Sequence, residues 1–254
     1  MPDVAPPRSC DLGALALLLD VDGTILDVAP TPQSVRVPPD LPPVLSALSR
    51  RTGGALAFVS GRPLADLDRI FAPLQLPAIG GHGAELRVAA GEPPMPGRIS
   101  ALDSALKRKF AAIAGAGSGI IVEDKGYSLA LHYRLAPEKG PLVRQFAEQI
   151  CADLPASEIE LLPGKSMVEI KQAGFDKASA VRELMSYPPF AGRRPVFVGD
   201  DVTDRSVFAA MPEFGGIAIC VGAKLASVDY AFDRPADVRR WLEELSRTNA
   251  LDLS

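Results

Sequence analysis

Four short apolar runs, each stopping at residues able to do chemistry, set the strongest limit on how this chain of 254 residues can fold. Leu15-Ala16-Leu17-Leu18-Leu19 runs into Asp20-Val21-Asp22-Gly23-Thr24, and Ala55-Leu56-Ala57-Phe58-Val59 into Ser60-Gly61-Arg62. Pro195-Val196-Phe197-Val198 runs into Gly199-Asp200-Asp201, and Ile217-Ala218-Ile219-Cys220-Val221 into Gly222. Apolar runs of this length, without polar alternation, read as strands buried on both faces. Amphipathic segments at 41–51, 64–71 and 178–185 lie between some of them, which is the alternation of an α/β sheet with helical crossovers. The predicted core is a Rossmann-like, doubly wound parallel sheet. Ligands bind beyond the carboxyl ends of such strands, so Asp20, Ser60 and Asp200 are expected on one rim.

The middle of the chain follows another rule. After the breaker-rich Gly91-Glu92-Pro93-Pro94-Met95-Pro96-Gly97 comes a helical pattern over 99–113, then strand-like pieces at 119–123 and 127–134 around the turn Asp124-Lys125-Gly126. A second helix is predicted over 141–152, followed by strands at 159–162 and 166–170 broken by Pro163-Gly164. Hairpins replace crossovers here, so the segment reads as an inserted α+β domain. The expected division is a discontinuous core, 1–97 and 173–254, and an inserted domain, 98–172.

A net charge of -4 gives no electrostatic reason to expect nucleic acid or an acidic membrane as partner. Cys10, Cys151 and Cys220 are odd in number and far apart, which implies neither a disulfide framework nor a zinc site and points to a reducing cytoplasm. The first nine residues lack the cationic start of a signal peptide, and 12–19 is too short to span a bilayer. The expected partner is a small molecule, with a monomer left open.

Asp20 and Asp22, close together at the end of a buried strand, repel each other unless a cation sits between them, and a divalent metal is the simplest resolution. With Asp20 as nucleophile and Asp22 as proton carrier, the pentapeptide holds most of a phosphoryl-transfer site. The alternative is a plain strand-to-loop turn, where Asp-Gly is common. Gly199-Asp200-Asp201-Val202-Thr203-Asp204 supplies a second carboxylate cluster, or else a helix-capping one. Mg²⁺ takes oxygen ligands, so the Asp20 and Asp200 carboxylates and the Asp22 carbonyl are assigned to it. Asp204 is assigned to orienting a metal-bound water or Lys177. A phosphate dianion also needs donors and positive charge: Ser60, Thr24 and the amides near Gly23 donate, and Lys177 is the candidate cation. Lys177 follows Asp176, an N-cap candidate, so it opposes the helix dipole at a cost of a few tenths of a kcal/mol. The alternative is a solvated surface lysine. His82 and Glu85, after a glycine pair, are candidates to face the same crevice, and a structural loop histidine is the equal alternative for His82.

Asp-x-Asp-Gly-Thr at 20–24, then Ser60, Lys177 and Gly-Asp-Asp-x-x-Asp at 199–204, in that chain order, resembles the haloacid dehalogenase superfamily of phosphohydrolases, and the insertion resembles its C2 type of cap. Ser60-Gly61-Arg62-Pro63, Gly81-His82-Gly83-Ala84-Glu85, Glu123-Asp124-Lys125-Gly126-Tyr127-Ser128, His132-Tyr133-Arg134 and the stretch from Gly164-Lys165 to Glu169-Ile170 narrow the resemblance to the trehalose-6-phosphate phosphatase family, over about residues 12–245. The resemblance implies a Mg²⁺-dependent hydrolase of a sugar phosphate that passes through an aspartyl phosphate on Asp20, with Asp22 as acid and base. It places Asp20, Asp22 and Asp200 on the metal, with Asp201 and Asp204 supporting them from outside, and Thr24, Ser60 and Lys177 on the phosphate. Arg62, His82, Glu123, Lys125 and Glu169 fall to the substrate, the last three gripping sugar hydroxyls; exposed hairpin charge is the alternative for those three. The chain departs from the family pattern at Arg205, where Glu is usual, and at Ala178, where Gly is common. Phosphatases of sucrose, mannosylglycerate or hexose phosphates, a phosphomutase and a silent sugar-phosphate sensor are the competing readings.

Overall fold

The four apolar runs become neighbours in one sheet. The computed structural model describes residues 10–31, 34–96, 101–115, 117–152, 154, 158–164, 166–200, 202–222, 228–247 and 250–251. The chain divides into two compact units, one of Met1–Val28, Arg36–Met95 and Lys177–Ser254, the other of Ala29–Val35 and Pro96–Asp176.

The first part of the core unit supplies β1 (Cys10–Asp11), β2 (Leu15–Leu19), α1 (Leu41–Arg51), β3 (Leu56–Val59), α2 (Leu64–Phe71), β4 (Ala78–Gly80) and β5 (Glu85–Arg87). The inserted unit contains α3 (Ser104–Ala111), β6 (Ile121–Asp124), β7 (Ser128–His132), α4 (Gly140–Ala152), β8 (Ile159–Gly164) and β9 (Met167–Gln172). The core then resumes with α5 (Lys177–Leu184), β10 (Arg194–Gly199), α6 (Arg205–Ala210), β11 (Ile217–Val221), β12 (Tyr230–Phe232), α7 (Pro235–Arg247) and β13 (Ala250–Leu251). The core sheet runs β12-β11-β10-β2-β3-β4-β5, parallel except for the edge strand β5. β5 reverses because only a glycine-rich turn joins it to β4, too short for a crossover.

Helices cover both faces, as the unbroken apolar strands require. Ala178, Val181, Leu184, Val207 and Phe208 of α5 and α6 pack with Ala16, Leu18, Ala57, Val59 and Phe197 of the strands. On the other side, Phe71 of α2 stacks on Phe58, and α7 packs on α1, its buried Val238, Leu242 and Leu245 following the helical period. Register sets the rim: Val198 pairs with Leu19, Leu19 with Phe58 and Val59 with Ile79, so β10, β2, β3 and β4 end together.

The inserted unit is an antiparallel sheet, β6-β7-β9-β8, with α3 and α4 supplying its core partners. Leu129, Leu131, Val168 and Ile170 enter that core with Phe110, Val143 and Ala147. Two sequence expectations need correction. The helix expected over 99–113 is Ser104–Ala111, capped by Asp103, whose carboxylate accepts the Leu106 N–H at 2.8 Å; residues 97–100 lie outside the described ones. Pro163-Gly164 does not break the pair of strands: Pro163 pairs with Val168 inside β8. β8 is an edge strand, where a proline's missing donor is tolerated, and Ser166 takes the left-handed turn conformation, φ 62°. Among the described residues, no helix is long and apolar enough to cross a membrane.

Leu18 lies fully buried on the central strand β2. Leu18→Ala is expected to lower unfolding free energy by about 2–5 kcal/mol, read as a lower urea midpoint with an unchanged slope.

Candidate active site

Beyond the end of β2 the chain turns back on itself, with Gly23 N–H on the Leu26 carbonyl at 2.7 Å and Ile25 and Leu26 N–H both on the Val21 carbonyl. This leaves Asp20 buried at the strand end, its N–H held by the Val198 carbonyl of β10 at 2.9 Å. Thr24 donates its hydroxyl to Asp20 Oδ2 at 2.9 Å, so its side chain orients the carboxylate directly.

Lys177, the first residue of α5, is only 3% exposed, which excludes the solvated-lysine alternative. Its Nζ lies 2.8 Å from Asp20 Oδ1 and 2.7 Å from Asp204 Oδ1. The other Asp204 oxygen accepts the Asp200 N–H at 2.9 Å. Burial opposes the charge on Lys177, but the two carboxylates outweigh it and hold the ammonium well above its ordinary range. Burial pushes the Asp20 carboxyl up; Lys177 works against this, Asp204 and Asp200 add to it, and the net result lies above the usual carboxylate range.

Asp20, Asp200 and Asp204 offer carboxylate oxygens within 4.8 Å of one another. Three carboxylates with one ammonium leave an excess of two negative charges, and the donors are all hard oxygens, which fits a divalent cation such as Mg²⁺. Gly23 is part of the fit: its φ of +87° suits glycine, and a Cβ there would lie 2.2 Å from Asp200 Oδ2. Asp201 lies outside the described residues. Arg205 is exposed at the start of α6, and Ala178 is buried in the core beneath α5.

The rim at β3 brings the remaining core candidates together. Ser60 is buried, and its Oγ accepts the Arg62 N–H at 3.1 Å. Arg62, expected on the substrate, directs a bidentate guanidinium at Asp22, Nε to Oδ2 at 2.6 Å and Nη2 to Oδ1 at 2.7 Å. His82 sits in the left-handed region, φ 56°, its N–H on the Ser60 carbonyl and its ring so close to Gly61 that a Cβ there would lie 2.4 Å from Nε2. Glu85 caps α2, its Oε2 accepting the Leu64 N–H at 2.5 Å, because Pro63 has no side-chain acceptor for that orphan donor.

In the inserted unit, the sheet face opposite Val168 and Ile170 carries paired charges. Glu169 is fully buried, accepting Ser128 Oγ at 2.6 Å and Lys125 Nζ at 2.9 Å. Glu123 Oε2 meets His132 Nε2 at 2.7 Å. Burial raises the Glu123 carboxyl, but the His132 hydrogen bond and the nearby Lys125 charge outweigh it and leave it below its ordinary value. Exposed hairpin charge is excluded for Lys125 and Glu169, whose side chains are buried. The Glu123–His132 and Ser128–Glu169 contacts were not read from sequence. The signal was the period of two that puts Ser128 and His132 on one face, opposite Lys171 and Met167 in register.

A match to the trehalose-phosphatase family spans residues 18–231, through both carboxylate clusters and the inserted unit. The chain belongs to the trehalose-phosphatase family. It is 41% identical over 220 residues to a probable trehalose-phosphate phosphatase of Sinorhizobium fredii, covering 87% of this chain and 82% of that one. It is 34% identical over 231 residues to the trehalose-6-phosphate phosphatase of Escherichia coli, covering 91% and 86%. The C-terminal domain of the Candida albicans trehalose-6-phosphate phosphatase shares the fold, with a TM-score of 0.82 at 20% identity and 92% of each chain covered. As a trehalose-phosphatase family member the chain is an enzyme, a phosphatase.

Gly23→Ala is expected to displace Asp200 and lower kcat/KM about 100-fold while the far-ultraviolet circular dichroism stays that of the parent. Because Glu123 has a lowered pKa in the fold, its ionised form contributes stability at neutral pH that is lost as pH falls through that value. The melting temperature of Glu123→Gln is therefore expected to lie below the parent's at pH 7, with the gap shrinking below the unfolded value of about 4.3.

Proposed function

We propose that this phosphatase hydrolyses trehalose 6-phosphate to trehalose and phosphate in a Mg²⁺-dependent, two-step reaction through an aspartyl phosphate. The observation that carries the reading is the buried Asp20–Lys177–Asp204 chain at the strand ends, in a trehalose-phosphatase family member whose inserted sheet presents Glu123, Lys125 and Glu169.

An Asp20 carboxylate oxygen attacks phosphorus, the bond from phosphorus to the sugar oxygen breaks, and Asp22 gives its proton to that leaving oxygen. Asp22, now a carboxylate, takes a proton from water; the resulting hydroxide attacks phosphorus, the Asp20–phosphorus bond breaks, and free phosphate leaves with Asp20 restored. Arg62 holds the ionised Asp22 through both carboxylate oxygens, so the acid step requires one of those oxygens to leave the guanidinium and carry the proton to the sugar oxygen. Lys177 fixes the orientation of Asp20 and, with Ser60, supplies charge and a donor to the phosphate oxygens. The Asp20 and Asp200 carboxylates and the Asp22 carbonyl would hold Mg²⁺, which would supply charge neutralisation favouring ionised Asp20 and an anionic substrate together. Glu123 and Glu169 accept from sugar hydroxyls, Lys125 donates to them, and His82 beside Ser60 borders the substrate.

A panel of trehalose 6-phosphate, sucrose 6-phosphate and glucose 6-phosphate, with and without Mg²⁺, tests the reading by free phosphate released. Trehalose 6-phosphate is expected to lead by about 100-fold in kcat/KM and to need the metal. Equal turnover of glucose 6-phosphate rejects the disaccharide, and a phosphorylated product in place of phosphate makes the enzyme a mutase. Asp20→Asn is expected to abolish turnover with the fold intact; full activity in that variant rejects the nucleophile.

A further inference from the structure

Lys171 is a buried cation that the proposed reaction does not use. It lies near the end of β9, two residues beyond Glu169 and therefore on the same sheet face, and it is 1% exposed. Its Nζ meets Glu160 Oε2 at 2.6 Å, and Glu160 is the partner in register on β8. The same ammonium donates to the Phe175 carbonyl and lies 4.2 Å from the centroid of the Phe175 ring. Phe175 belongs to the short segment by which the chain leaves the inserted unit, two residues before Lys177.

The contacts lead on from Phe175 to the turn that carries Lys125. The Phe175 ring meets Tyr127 edge to face, with centroids 6.4 Å apart and planes at 89°. Tyr127 sits in the 124–128 turn, closed by Lys125 N–H on the Ser128 carbonyl at 3.0 Å and Gly126 N–H on Asp124 Oδ1 at 2.8 Å. The other end of the insertion meets the same turn, with Leu102 N–H on the Gly126 carbonyl at 3.0 Å. A buried ammonium is costly unless its donors are used, and here they meet a carboxylate, the Phe175 carbonyl, more distantly the Gln172 carbonyl at 3.4 Å, and an aromatic face.

We propose that Lys171 is a positioning residue for sugar recognition: by clamping Phe175 it sets, through Tyr127, the turn from which Lys125 reaches Glu169. The role given to Lys125 rests on the proposed function. Lys171 itself touches no reacting atom.

Lys171→Met keeps the apolar stem and removes the charge. Its expected effect is about a tenfold rise in KM for trehalose 6-phosphate, with kcat/KM for p-nitrophenyl phosphate, which has no sugar to recognise, within about twofold of the parent. Amide hydrogen exchange at residues 124–128 is expected to speed up in the same variant. Phe175→Leu, which keeps bulk but loses the ring contacts, is expected to repeat both effects and stands in if Lys171→Met does not fold. Unchanged exchange in the turn overturns the proposal, and so does an equal loss of activity on both substrates, the mark of a merely structural residue. If the parent itself does not prefer trehalose 6-phosphate, the substrate reading fails, and the exchange measurement still decides the clamp.

Discussion

The ammonium of Lys177 between Asp20 and Asp204 is the interaction on which the arrangement of this enzyme turns. It joins the end of β2 and the turn that starts α6 to the start of α5, through two contacts shorter than 3 Å, and Asp20 lies 157 positions from Lys177. Removing the ammonium would leave two buried carboxylates without their counter-charge, so the site is specified as a unit. The parallel register of β10, β2 and β3 makes the bridge possible, because only strands that end together deliver Asp20, Ser60 and Asp200 to one rim.

The two units divide the chemistry between different kinds of surface. In the core unit, polar groups sit past the strand ends, where the ladder has stopped and backbone donors turn toward side chains, as Asp200 N–H does toward Asp204. In the inserted unit, polar groups stand on the sheet itself, one face apolar under its helices and the other a row of mutual pairs: Glu123 with His132, Lys125 and Ser128 with Glu169, Glu160 with Lys171. The first arrangement suits a reacting phosphate that is the same in every substrate. Under the proposed function, the second suits a ligand covered in hydroxyls, tested by many fixed donors and acceptors.

The core strands were legible in sequence because burial on both faces demands uninterrupted apolar runs, and the carboxylates stood out for being placed at their ends. The placement of Asp20 at the rim was legible for the same reason. Whether Lys177 or another lysine would be buried was not, since nothing local distinguishes it; its environment comes from Asp20 and Asp204, brought in by the tertiary fold. The bidentate pairing of Arg62 with Asp22 was not legible, because the two lie forty positions apart. α7 was not legible because its apolar residues are spaced among charges, nor was the Glu85 cap of α2, which answers a helix start that Pro63 leaves without a side-chain acceptor.

Because the core is interrupted, the order in which the chain is made differs from the order of the sheet. β2 and β3 are synthesised early and can pair through α1, but β10, the other neighbour of β2, begins at Arg194, after the whole inserted unit. During synthesis the inserted unit, with its own core and a ladder of near neighbours, can close while the inner edge of β2 is still bare. A central strand of the finished enzyme is thus an edge strand for most of its birth, with the exposure to wrong partners that edges bring. The carboxylates at its end meet their counter-charge only when α5 and β10 arrive, so the active centre is among the last features of the fold to form.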